Sequence, residues 1–583
     1  MKRAKLNGFL TILTLAAPFA AFAQSSLDPA QLPKSTVFYL AWHGTPSGEI
    51  RKSNSLLALW DDPDFAPVRA AIVAEMMQSS ADSAKAKTNL TADVLSQYAG
   101  LLDNELVFGY LANPHPAKIN GTASGTPPQE ARQSPWNGMF LAYDHTGKEA
   151  TLAKLLLQVR MNEKEPPKIS PATVAGMSAI KIERKNGTTY WADDGRYTFS
   201  ANEPTVLEQV SAWTKHATPE AARLSKTAVF REAGELLKGG VAEFFVNFAS
   251  VRDMDSDKSI GGFRLRPLLQ SLRLETVHSI AGHLALEGAR TRMQGAILGD
   301  TSPGSLFDIW DEGSASPSSW QFITANTVSY QEWRLNLTGI YGLIKRAMQS
   351  TAGAGQPNTM DFMETGISTR LGMTLPAAIG LFSGEFASLQ SSVELDSARQ
   401  VSVVAIREKA AILKLLHAGL AERVAGERSE GDTTFLKISQ GGMASSAGTA
   451  SWKYYHLAVT PDVIVGSARA ESVRETLAAG KGTVAENRLV PPAWQQVRTQ
   501  FPKTINGLGL FDFQKIDWAT AKERWIADSR KKSTSGETQQ AAADTFANAL
   551  QGLDPRVFPR HLHLAANASW KDALGVHFDG WIE

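Results

Sequence analysis

The stretch GLLDNELVFGYL (Gly100 to Leu111) sets two carboxylates, Asp103 and Glu105, at the mouth of an apolar run. His43, in AWHGTPSGEI, stands in a Gly- and Pro-bearing loop after a strand pattern. A carboxylate and an imidazole within hydrogen-bond reach are the equipment of general acid–base catalysis. A second copy of the pattern, GLFSGEFASLQS from Gly380, places Glu385 where the first has Glu105. Paired carboxylates whose surroundings separate their pKa values could then face each other across an interface. That reading predicts a carboxylate-dependent hydrolase, with Glu105 or Glu385 and His43 meeting in one pocket between two halves of the chain. The competing reading is structural. In both copies the Glu stands where a turn leads into a strand, and a carboxylate there can accept backbone N–H bonds that the ladder leaves open. The same residue in the same place twice fits a fold requirement, whereas an active site needs different residues in different roles.

Other candidates are sparser. Asp61, Asp62 and Asp64 offer oxygen ligands for a hard cation, but Asp62 before Pro63 is also an N-cap with Pro at the first helical position. His561 and His563 alternate on one face of an expected strand, the spacing two metal ligands would take, with no third ligand in view. Ser178 and Lys181 make a Ser-x-x-Lys match, yet GMSAIKIERK alternates like a strand and sends them to opposite faces. Most of the 14 Trp have core periodicity; Trp136 and Trp310, in loop-like contexts, are the candidate ligand contacts. No zinc-protease pair, nucleophile elbow, phosphate-binding loop or dinucleotide fingerprint is present, so the sequence predicts no cofactor.

The elements that must position these residues recur along the chain. GMFLAYDHTGKEATLAKLLLQV (138–159) and QVSVVAIREKAAILKLLHAGL (400–420) both read as strand, break and helix. TTYWADDGRYTFSANEPTVLEQV (188–210) and KYYHLAVTPDVIVGSARAESVRETL (453–477) both read as strand, tight turn, strand and helix. VAEFFVNFASV answers INGLGLFDFQKI, and SIAGHLALEGARTRMQGAILG answers RHLHLAANASWKDALGVHFDG. Five segments in the same order predict an internal duplication. The halves are expected at 24–300 and 318–583, with a Gly/Ser/Pro-rich linker at 301–317. Each half opens on an expected strand, STVFYLAWHG or WQFITANTVSY, followed by helix at 56–77 or at 332–349 and 361–371. Strands joined by tight turns pair antiparallel, so the expected fold is α+β, each half a mainly antiparallel sheet with helices packed on one face. The polar inserts at 119–136, 439–451 and 529–545 are expected to be mobile loops.

Residues 1–23 read as a secretory signal peptide: Lys2, Arg3 and Lys5, an apolar core, then Ala21-Phe22-Ala23. No later run is long and apolar enough to span a bilayer, so no transmembrane segment is expected after cleavage. Lys and Arg number 59 against 58 Asp and Glu. Such a balance gives no electrostatic case for nucleic acid. With no cysteine, disulfides, thiolate chemistry and iron–sulfur clusters are excluded.

LPKSTVFYLAWHG, then SNSLLALWDDPDFAPVRAA and the later Gly-x-x-x-x-Glu lead into a strand, resemble a family of bacterial exported proteins known as a domain of unknown function. The resemblance covers mainly the first half. It implies a cell-envelope location and transfers no catalytic residue. The expectation from all of this is a periplasmic or secreted, non-enzymatic scaffold that binds a ligand or envelope protein in a cleft between its halves. The alternatives are the hydrolase above and a structural envelope-assembly factor, which predicts a large exposed apolar patch.

Overall fold

The computed structural model describes residues 27–72, 100–112, 138–152, 167–184, 187–253, 259–260, 263–264, 270, 272–311, 313, 318–351, 359–439, 453–481, 490–532, 544 and 546–583. The expected signal peptide, Trp136, the insert at 119–136 and most of the other two inserts lie outside these residues.

Period-two alternation supplies the strands. In order these are β1 (Thr36–His43), β2 (Glu105–Leu111), β3 (Met139–Asp144), β4 (Lys168–Val174), β5 (Met177–Arg184), β6 (Gly187–Asp193), β7 (Tyr197–Ala201) and β8 (Ala242–Asn247). A small ribbon of β9 (Ser259–Ile260) and β10 (Phe263–Arg264) stands apart. The hairpin β11 (Val277–Glu287) and β12 (Arg290–Gly299) follows. The second set is β13 (Ser329–Arg334), β14 (Phe382–Gln390), β15 (Gln400–Ile406), β16 (Val424–Glu430) and β17 (Thr433–Ser439). It continues with β18 (Tyr454–Val459), β19 (Val463–Ser467), β20 (Gly507–Asp512), β21 (Leu564–Lys571) and β22 (Gly575–Ile582).

All pairings are antiparallel, and apart from the ribbon they run in one line. From one edge the order is β4-β5-β6-β7-β3-β2-β1-β8-β11-β12. From the other it is β16-β17-β18-β19-β15-β14-β13-β20-β21-β22. The same ten-strand order thus occurs twice, and the two runs meet where β12 pairs with β22. At this seam Arg292 clasps Asp579 at 2.9 and 2.6 Å, and Arg290 reaches Glu583 at 2.8 Å. The Phe578 ring lies against Gly295, where a Cβ would fall 2.3 Å from a ring carbon, so any side chain would displace the ring.

One face of the sheet is packed beneath the helices Pro204–Thr214 and Ala228–Ala233 in the first half. In the second half Ala470–Gly480 and Pro492–Arg498 cover it. The opposite face is also covered in part, contrary to the one-sided packing expected. The helix Lys409–Leu420 buries Ile412 against Val404, Ile464 and Leu457 there. Near the seam, Ser55–Asp61, Trp518–Lys532 and Val557–His561 form a helical layer against Phe511, Ala565 and Ile582. In the Ser55–Asp61 helix Asn54 accepts from Leu57 N at 3.2 Å as the N-cap.

Two further expectations need correction. WQFITANTVSY begins as a 3₁₀ turn, Ser318–Phe322; its strand starts at Ser329 and runs to Arg334, so the following helix starts at Leu337 rather than 332. The correct register was readable: Thr36-Val37-x-Tyr39-x-x-Trp42 recurs as Thr327-Val328-x-Tyr330-x-x-Trp333. The second correction is that His561 ends a helix and His563 precedes β21, so the two do not share a strand face. Among the described residues, no helix is long and apolar enough to cross a membrane.

Candidate functional site

Glu105 and Glu385 occupy matching places, each on the second strand of its half, opposite His43 and Arg334 respectively. Their work is local. Glu105 accepts the backbone N–H of Leu27 at 3.1 Å, tying down the segment that leads into β1, and Glu385 pairs with Arg334. Asp103 is held by Lys148 at 2.8 Å. Its carbonyl packs against Gly44, whose φ of +88° and close approach suit only glycine. Eight strands separate β2 from β14, so Glu385 does not meet Glu105 and His43, which are cross-strand partners.

The metal candidates are likewise engaged. Asp62 caps the turn that follows it, accepting from Asp64 N at 2.9 Å, and also receives His561 Nε2 at 2.8 Å and Arg560 at 2.7 Å. These contacts tie the first half to the second. His563 is exposed. Trp310 is not an exposed contact: it is half buried, 6.2 Å from Phe307, and bridges Leu335. Ser178 and Lys181 lie on β5 as expected, on opposite faces.

A buried carboxylate that the sequence reading passed over sits in each half. Glu243 on β8 lies opposite Ala41 on β1, with the Tyr39 hydroxyl at 3.5 Å and His43 Nε2 at 4.0 Å. Glu332 on β13 lies opposite Leu508 on β20 and accepts from Tyr330 and Ser319. The same cross-strand site therefore holds one Glu in each half, contributed by opposite strands, beside the matching Tyr. Burial pushes the Glu243 carboxyl up to about 8 and raises Glu332 too, while it lowers His43 despite the nearby Glu105. At neutral pH Glu243 and His43 are both uncharged, so they form no ion pair. Glu243 is invisible to motif reading because its partner Tyr39 stands 204 positions away.

His145 is buried with Nε2 2.9 Å from Asp193, and Thr198 donates to the same carboxylate at 2.9 Å. Asp193 stands between the hydroxyl and the imidazole, so the His is not placed to take the Thr proton, and this is no nucleophile–base pair.

The feature that sets the halves apart is the sheet face away from the helices Pro204–Thr214 and Ala470–Gly480. Register matches Phe38 and Leu40 to Ser329 and Gln331, Phe108 and Tyr110 to Ser388 and Gln390, and Met139 and Leu141 to Gln400 and Ser402. Six apolar or aromatic positions in the first half are Ser or Gln in the second. Leu40 is 48% and Phe108 36% exposed, with Phe38 stacked on Tyr110 and 6.0 Å from Phe108. The apolar row continues through Phe244 to Phe578 and takes in Met293, 44% exposed. In the second half the polar side chains bond one another and the chain: Gln400 to Ser388 and Gln390 to the Asp396 carbonyl, both 2.7 Å.

Where this face runs out toward the edge of the first half it deepens into an apolar cavity of about 200 Å³. Leu106, Leu141, Tyr143, Trp191 and Thr198 form its floor, and Leu152 closes it from the helix beginning at 149. Leu101 and Leu102 border it from a loop pinned by the Trp42 indole, which donates to the Leu102 carbonyl at 2.7 Å. A larger hollow of about 400 Å³ in the second half mixes charged and apolar residues, Glu430, Asp462, Arg474 and Lys481 among them. Each of these two cavities lies within one half; neither is the cleft between halves that was expected, and neither is lined by Glu105, Glu385 or His43. No family model, curated protein or solved structure matches the chain.

Proposed function

We propose that this is a non-enzymatic, exported binding protein of the cell envelope, whose first-half sheet face takes an apolar, lipid-like ligand. The observation that carries the reading is the six-position contrast between the halves. A fold that accepts Ser and Gln at these places does not need Leu, Phe and Met there, and a contiguous exposed apolar patch on a protein surface marks a binding site. The apolar cavity at one end of the patch favours a small ligand. The repeated strand order, with the recurring Thr-Val-x-Tyr-x-x-Trp, supports an internal duplication, after which one copy kept or gained an apolar face. Export rests on the N-terminal pattern of basic residues, apolar core and Ala-x-Ala.

The second reading is an assembly factor that docks a protein on the same face, favoured by Leu40 and Met293, which do not line the cavity. A thermal-shift panel of the purified chain with phospholipid micelles, acyl esters, oligosaccharides and divalent metals separates the classes. A ligand that binds only the native state raises the midpoint, and the proposal expects this from the lipidic members alone. A shift with sugars or metals and none with lipids would overturn it.

A further inference from the structure

Resting on that reading of the face, we infer that the cavity holds a hydrocarbon segment of an uncharged lipid, with Tyr143 donating to an ester carbonyl at its head. Tyr143 is 4% exposed, lines the cavity, and its hydroxyl has no hydrogen-bond partner among the described residues. Thr198, the other hydroxyl in the lining, is already engaged with Asp193. A buried hydroxyl without a partner costs free energy that a ligand acceptor would recover. The rest of the lining is Leu and Trp, which excludes a polar ligand body. An apolar cavity of roughly 150 Å³ is enough for a benzene-sized group, so about 200 Å³ takes a short length of chain and no more. The remainder has a path along Leu102, 36% exposed, and Phe108, the cross-strand neighbour of Leu141.

Charge selects the head. Burial foremost, and then the nearby carboxylates Asp144, Asp103 and Glu149, push the Tyr143 hydroxyl far above the ordinary range. Asp144 is neutralised by Arg196 and Asp103 by Lys148, while Glu149 accepts the Gly147 N–H at 3.0 Å and, among the described residues, has no basic neighbour but the buried His145 at 3.9 Å. An incoming carboxylate would meet Glu149 beside the paired Asp144 and Asp103, with no free cation facing it among the described residues. A neutral ester carbonyl accepts the same hydrogen bond without that repulsion.

Methyl octanoate, octanoate at pH 8 and octane serve as probes, titrated by calorimetry into the full chain and into Tyr143→Phe and Leu141→Ser. Leu141→Ser imports the second half's residue into the cavity floor. The ester is expected to bind best, octanoate at least about tenfold weaker, and Tyr143→Phe to cost the ester about tenfold while leaving octane unchanged. Without ligand, Tyr143→Phe should melt no lower than the parent, since its hydroxyl bonds nothing. Preference for octanoate, or an ester affinity indifferent to Tyr143→Phe, overturns the inference. Ester binding that survives Leu141→Ser undiminished places the ligand elsewhere on the face, sinking the cavity but leaving the broader proposal standing. No binding by any of the three sinks both.

Discussion

At matching register positions the first half presents Leu40 and Phe108 to solvent and the second presents Gln331 and Ser388, on sheets built in the same strand order. The helices that follow β3 and β15 show the same divergence. Ile412, in Ala410-Ala411-Ile412, is fully buried against β15 and β19; Leu152, in Ala150-Thr151-Leu152, is half buried at the cavity. Among the described residues, one half closes its second face with a packed helix and polar ladders, and the other leaves an apolar surface with a hollow beneath. The contrast separates what the fold demands from what it tolerates. Both halves demand the Tyr at the centre of the first strand and a single buried Glu beside it; only one carries the apolar row.

The largest expected effect tests the shared feature. Glu243 is raised from the ordinary carboxyl range to about 8, so the folded chain holds a proton that the unfolded chain releases. Its stabilising contribution is complete below the unfolded value near 4.5 and is lost as pH rises through 8. Stability should therefore fall between those limits with a slope approaching about 1.4 kcal/mol per pH unit. Glu243→Gln should flatten it in urea melts at pH 5, 6.5 and 8. Glu332, shifted in the same direction but bonded by two hydroxyls with Arg334 close by, should flatten the profile less when changed to Gln. Equal effects from both would mean that the two sites are energetically the same.

Next in size is the seam. Asp579→Ala leaves Arg292, half buried, with Glu287 as its remaining acidic partner at 3.3 Å among the described residues. It should cost about 2–3 kcal/mol in chemical denaturation, toward the lower end for such pairs because the Arg is partly exposed. A cost below about 0.5 kcal/mol would show that the halves hold together without this clasp. Smallest is Tyr143→Phe, expected to raise stability by up to about 1 kcal/mol in the absence of ligand, since it removes an unsatisfied buried hydroxyl. A loss of that size would mean the hydroxyl has a partner that the fold depends on.

Much of this architecture could be read from alternation alone. GMFLAYD, TTYWADD and the closing hairpins are strands because apolar residues fall on every second position, and the match of Glu105 to Glu385 holds in the register. The strand at Ser329 was misplaced because Phe322 and Ile323, buried from a 3₁₀ turn, mimic a strand's apolar run. Helices on both faces were missed because β15 and β19 are apolar on both sides, a pattern that short segments do not distinguish from one-sided alternation. The candidate site was hidden for a topological reason. Tyr143 and Trp191 lie on β3 and β6, which are neighbours only through β7, and nothing in their spacing along the chain brings them together.

The central claim is that the apolar row of the first half binds and the fold does not require it. The most direct measurement is the affinity for phospholipid micelles of the double variant Leu40→Gln/Phe108→Ser, which installs the second half's residues, alongside its melting temperature. The account predicts a loss of about a hundredfold in binding with stability changed by less than about 1.5 kcal/mol, since Leu40 is half exposed and Phe108 gives up one aromatic contact, to Phe38. Undiminished binding, or a chain that unfolds on losing these two side chains, would contradict it.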